Sequence, residues 1–189
     1  MAKLLPLPGA RLQNVPPLPV SGTLFILLAL ASVSFDGLSR TFFWLGLNGI
    51  NPLEFPGRSA VIGFNSVGLY AVWLMLAALY LGAIRIGCWI DPGWSFRRAA
   101  GTLVISIIPI ALAYHFAHYL TLVLMEAQYV VQIYGDPLDK GWNPLDLPRN
   151  FVTASFLNNF NSVRLIWNAE AGAIVAGHIA AVAVARSEE

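Results

Sequence analysis

Charge is what this sequence has least of: Asp, Glu, Lys and Arg make up 11% of its 189 residues, against about 25% in soluble globular domains. A soluble fold is therefore not expected. The eleven basic and ten acidic residues leave a net charge of +1 and are dispersed along the chain, so no phosphate-binding face forms and nucleic acid is excluded as an expected partner. Cysteine is almost missing. The single Cys88 excludes an intrachain disulfide and any cysteine-based zinc cluster, and it reads as a small apolar side chain near a helix end. What is present is apolar: 57% of residues are hydrophobic and mean hydropathy is +0.66. These residues fall in long blocks, the composition of a polytopic membrane protein.

A hydrocarbon core of about 30 Å takes about 20 helical residues to cross. Four stretches meet that length, and the expected fold is an all-α integral membrane bundle of four transmembrane helices with two long interfacial connections. The first helix runs from near Pro19 to Asp36, the second from near Ser59 to Ile90, the third from Gly101 to about Val131 and the fourth from about Arg164 to Ala185. Pro109 should kink the third helix by freeing a backbone carbonyl. Residues 1–20 hold five prolines and form an expected extended tail ahead of a transmembrane domain over 21–186, with 187–189 as a short C-terminal tail. Ala29, Leu30 and Ala31 also imitate a signal-peptide cleavage site, which leaves a processed leader as an alternative.

The connection from Gly37 to Arg58, with Phe42, Phe43 and Trp44, suits an interfacial hairpin carrying a short amphipathic piece and aromatics at headgroup depth. The connection from Gln132 to Asn161 is the longest, and Asp136, Pro137 and Asp146 read there as turn formers. Lys3, Arg11, Arg85, Arg97, Arg98 and Arg186 fall on one side, and Arg40, Arg58, Lys140, Arg149 and Arg164 on the other. The positive-inside rule then places both termini in the cytoplasm, with the two long connections outside.

Ionisable groups at membrane depth are default functional candidates, because hydrocarbon penalises them unless they are paired or hydrated. Within these spans they are Asp36, His115, His118, Glu126, Glu170 and His178. At a rise of 1.5 Å per residue, His115 and Glu170 both lie roughly 24 Å from the inner helix ends, with His118 and Asp36 roughly 27–28 Å. Asn65 falls near the same level. Helical angles put His115, His118, Tyr119, Glu126 and Tyr129 on one face of the third helix, expected to point into the bundle or a wet cavity. On the fourth helix Ala169, Gly172, Ala173, Ala176, Gly177 and Ala180 make a small-residue surface suited to close packing.

Two histidines at i, i+3 share a helix face, and bundle metal sites complete such pairs with carboxylates from neighbouring helices. His115, His118, Asp36 and Glu170 would supply two nitrogens and two oxygens to a divalent zinc, iron or manganese ion, leaving a position for water. Metal-assisted hydrolysis is the chemistry such a set supports, with Glu126 as general base. The same residues also fit a structural network, in which the histidines bond across helices and Glu170 sits protonated against Asn65 or Asn168.

Ser34-Phe35-Asp36-Gly37, then Ile108-Pro109-Ile110-Ala111-Leu112-Ala113-Tyr114 leading into Ala117-His118-Tyr119, then Gln128, Asp136-Pro137, Trp167 and Gly177-His178 resemble the C-terminal portion of bacterial membrane proteins known as fenitrothion hydrolases, in order and spacing from Ala31 to Arg186. The resemblance implies a multi-pass membrane protein linked to hydrolysis of an organophosphorus triester, acting with a second membrane subunit. At His115, Glu126 and Glu170 the chain departs from that pattern, where apolar residues or Gln are typical. Two other classes fit the same residues: a non-catalytic integral subunit of a larger membrane complex, and a conduit for protons, metal ions or small molecules. The lipid bilayer and another integral membrane subunit are the expected partners.

Overall fold

The computed structural model describes residues 16–53, 58–136, 138, 140–141, 145–148 and 151–186. Most of the proline-rich tail, the last three residues and parts of both connections, including Pro137 and Arg149, lie outside the described residues. All the regular structure among the described residues is helical: α1 (Val20–Ser39), α2 (Phe42–Leu47), α3 (Arg58–Ile90), α4 (Phe96–Leu103), α5 (Ile107–Gly135) and α6 (Phe160–Arg186), with 3₁₀ turns at Val104–Ser106 and Ser155–Asn158. Four helical stretches are long and apolar enough to cross a membrane: α1, α3, α4 with α5, and α6.

The ends differ from the sequence expectation in ways the local chemistry explains. Helix α1 continues past Gly37 to Ser39, and Arg40 reaches back one turn to Asp36, with 3.3 Å between guanidinium and carboxylate. The third span begins at Phe96, earlier than Gly101, because Phe96, Ala99, Ala100 and Leu103 repeat at helical spacing while Arg97 and Arg98 occupy the exposed face. It departs from α-helix at Val104–Ser106, just before Pro109. Pro109 has no N–H for the Ile105 carbonyl and its ring crowds that oxygen, so the ladder gives way one turn upstream of the proline.

The chain packs as two units. The first comprises residues 1–114 and 176–189. Its core is Leu27, Ala77, Val104, Ile105 and Val184, joined by Leu24, Trp73 and Tyr80; a second cluster holds Ile84, Ala99 and Ala100 with Cys88, Trp94 and Phe96. Helix α1 packs along α3 and against α4. Aromatic polar tips stitch these contacts: the Trp73 indole N–H donates to the Leu24 carbonyl at 3.1 Å and the Tyr80 hydroxyl to the Ala100 carbonyl at 2.7 Å. Residues 16–19 are not helical, as expected for a proline-rich lead-in, and the Leu18 N–H donates to the Gly101 carbonyl at 3.0 Å. A Cβ on Gly101 would lie 2.4 Å from the Leu18 carbonyl oxygen, so only glycine admits this crossing. Gly177 plays the same part for α6, where a Cβ would meet that of Ala113 at 2.5 Å.

The second unit is residues 115–175. Among its described residues no large apolar side chain is buried, and polar contacts organise it. Asp136 folds the start of the connection by accepting the Lys140 N–H at 3.0 Å and the Gly141 N–H at 2.7 Å, consistent with its expected turn role. Asn159 caps α6 by accepting the Asn161 N–H at 2.9 Å and the Ser162 N–H at 3.3 Å.

Candidate functional site

Of the residues singled out above, His115, His118, Glu126 and Glu170 belong to the second unit, and Asp36 and His178 to the first. In the second unit α5 places His118 and Thr121 three residues apart, on neighbouring positions of one face. The Thr121 hydroxyl lies 3.4 Å from Glu170 Oε1. Glu170 therefore meets α5 at the level of Thr121, one turn beyond His118 and about 9 Å along the axis from His115. The two histidine rings flank Tyr119, at 6.1 Å for His115 and in an edge-to-face contact at 4.8 Å for His118.

Of the expected inward face of α5, His115, His118 and Tyr119 are half-buried, while Glu126 and Tyr129 are exposed. Along the second half of the helix the covered side is instead that of Thr121, Met125 and Gln128, all half-buried. Its anchor is Gln128, whose amide donates to the Thr153 carbonyl at 3.1 Å and whose carbonyl accepts the Thr153 N–H at 2.9 Å. One side chain thereby satisfies both backbone groups of a loop residue that has no secondary-structure partner for them. The spacing of Thr121 and Gln128, seven apart on one helix face, was the available sequence signal for this arrangement.

In the first unit, Asp36 is paired with Arg40, and the His178 ring lies 6.3 Å from that of Tyr114. Asn65 Oδ1 accepts the Trp44 indole N–H at 2.9 Å. Trp44 in turn sits edge-on to Phe35 at 5.1 Å, over Gly68, where a Cβ would come within 2.5 Å of both rings. The connection after α1 does form the expected short helix, with Phe42, Phe43 and Leu47 exposed. Unlike Phe42 and Phe43, Trp44 packs inward, because Gly68 leaves a slot and Asn65 supplies an acceptor.

Among the described residues no group of three or more His, Cys, Asp or Glu could hold a metal ion. What the second unit offers is a protonatable pair on α5 next to a hydroxyl–carboxyl contact, an arrangement able to hold helices together or to retain a proton. No family model, curated protein or solved structure matches the chain.

Proposed function

We propose that this protein is a non-catalytic integral subunit of a larger membrane assembly. The observation that carries this reading is the pairing of little-buried spans with polar side chains on their open sides. Only 17% of the most apolar window of α6 is buried, and Asn168 and Glu126 are exposed. Asn168 stands about 12 Å from the start of α6 and Glu126 about 14 Å from the end of α5. An amide or carboxyl at that depth costs several kcal/mol against acyl chains, and polar groups of a neighbouring membrane protein would relieve that cost. The inward polar contacts of Thr121, Glu170 and Gln128 then serve to hold the subunit's shape.

Light scattering on protein gently solubilised from its native membrane tests this. The expected species exceeds the 20.5 kDa chain at a fixed stoichiometry with a second polypeptide, and dissociates in a Glu126→Leu/Asn168→Leu variant. A lone chain, unaffected by the double substitution, overturns the proposal.

A second reading is metal-assisted hydrolysis of an organophosphorus ester, with His115 and His118 as metal ligands. It draws support from Glu170 meeting α5 one turn from His118. One divalent ion per purified chain, lost in His115→Ala/His118→Ala, would favour it over the subunit reading.

A further inference from the structure

The elbow between α3 and α4 concentrates positive charge in a way neither reading uses. Arg85 stands five residues before the end of α3, and Arg97 and Arg98 open α4. All three are exposed, and none forms an ion pair with a described carboxylate. The elbow's one acidic residue, Asp91, turns its Oδ1 onto the Gly93 N–H at 3.0 Å, which commits that oxygen to the turn. The Arg98 guanidinium lies 5.5 Å from the centre of the Trp94 ring, a stacking that holds its planar face and leaves its edge open for hydrogen bonds.

Arg85 lines a cavity of about 380 Å³, together among the described residues with Ile86, Cys88 and Trp89. Arg85 and Trp89 are one turn apart and share a side of α3. Trp89 is 83% exposed and Ile86 60%, so an exposed guanidinium is set against exposed apolar surface. At 33 residues α3 is about 50 Å long, well over the roughly 30 Å of hydrocarbon. Its last turns therefore reach headgroup depth, where tryptophan is favoured.

We propose that this elbow binds the headgroup of an anionic phospholipid. The guanidinium groups of Arg85, Arg97 and Arg98 take the phosphodiester through charge-assisted hydrogen bonds, and the first acyl carbons run over Ile86 and Trp89. A free phosphate ion would satisfy the arginines and leave the adjoining apolar wall without an occupant, which is why an amphiphile fits better than an inorganic anion.

The test is lipid retention by the full chain in detergent, measured by native mass spectrometry after exposure to equimolar phosphatidylglycerol and phosphatidylcholine. The expected preference for phosphatidylglycerol is about tenfold, falling to parity in Arg85→Gln/Arg97→Gln/Arg98→Gln and by an intermediate factor in Arg97→Gln/Arg98→Gln, whose exposed sites leave the core untouched. Arg164→Gln, far along the sequence on α6, should keep the wild-type preference. Equal retention of the two lipids by the wild-type chain overturns the proposal without recourse to any variant. So does a preference unchanged in both arginine variants, a loss in Arg164→Gln as large as in the triple variant, or displacement of the bound lipid by millimolar inorganic phosphate, which would make this a site for the free anion.

Discussion

The two units of this chain are held together by different means. The first closes around Leu27, Val104 and Ile105, which are wholly buried, and uses glycines where backbones cross. The second buries no large apolar side chain among its described residues and relies on Gln128, Asp136, Asn159 and the Thr121–Glu170 contact. In lipid, helix association gains little from apolar burial itself and depends on close packing and interhelical hydrogen bonds. Both regions use hydrogen bonds between elements, but only the first adds buried apolar side chains and close backbone crossings, so substitutions should sort by region.

The largest effect is expected for Leu27→Ala. It opens a cavity in the tightest part of the first unit and should cost about 2–4 kcal/mol, read as lowered thermal stability in detergent by tryptophan fluorescence. A loss no greater than that of an exposed leucine such as Leu165 would break the comparison. Next come two glycines of α6. Gly177→Ala forces a Cβ to 2.5 Å from that of Ala113 and 2.9 Å from the Pro109 oxygen, at a cost of about 1–3 kcal/mol. Gly172→Ala, with nothing within 4 Å, should change stability by less than about 0.5 kcal/mol. Equal effects would show that α6 packs alike along its length. Gln128→Ala removes both bonds to Thr153 and should cost about 1–2 kcal/mol, seen as faster hydrogen exchange over residues 151–158 with the first unit unchanged. Smaller than the loss at Gln128 is that of Thr121→Val, which keeps the shape and loses one long contact, for about 0.6 kcal/mol; a much larger loss would mean that Glu170 bears more of the second unit than its 3.4 Å distance implies.

The four long apolar helices were legible because apolar runs of that length leave few alternatives to a helix. The proline effect was legible too, though the helix yields at Val104–Ser106 and not at Pro109 itself, since the crowded atom is the carbonyl one turn back. The covered side of the second half of α5 was not. The helix is too apolar overall for periodicity alone to fix which side is covered, and although His115, His118 and Tyr119 are half-buried as their shared face suggests, Glu126 and Tyr129 on that face are exposed. Trp44 escaped for a related reason: an aromatic residue in a connection looks like an interfacial anchor, and only the bare backbone at Gly68, far away in sequence, shows that it has somewhere to go. The early start at Phe96 was readable from the spacing of Phe96, Ala99, Ala100 and Leu103, had Arg97 and Arg98 not suggested a loop.

The backbone bond from Leu18 to Gly101 carries a consequence for how the molecule is made. While a nascent chain is still short, α1 and α3 are able to meet, but the segment leading into α1 has no docking place until Gly101 has been synthesised and delivered. Seating of the lead-in is therefore a late event of biogenesis. A reporter attached just ahead of Pro16 would announce the arrival of the third span, and a ribosome stalled before Gly101 would leave that announcement unmade.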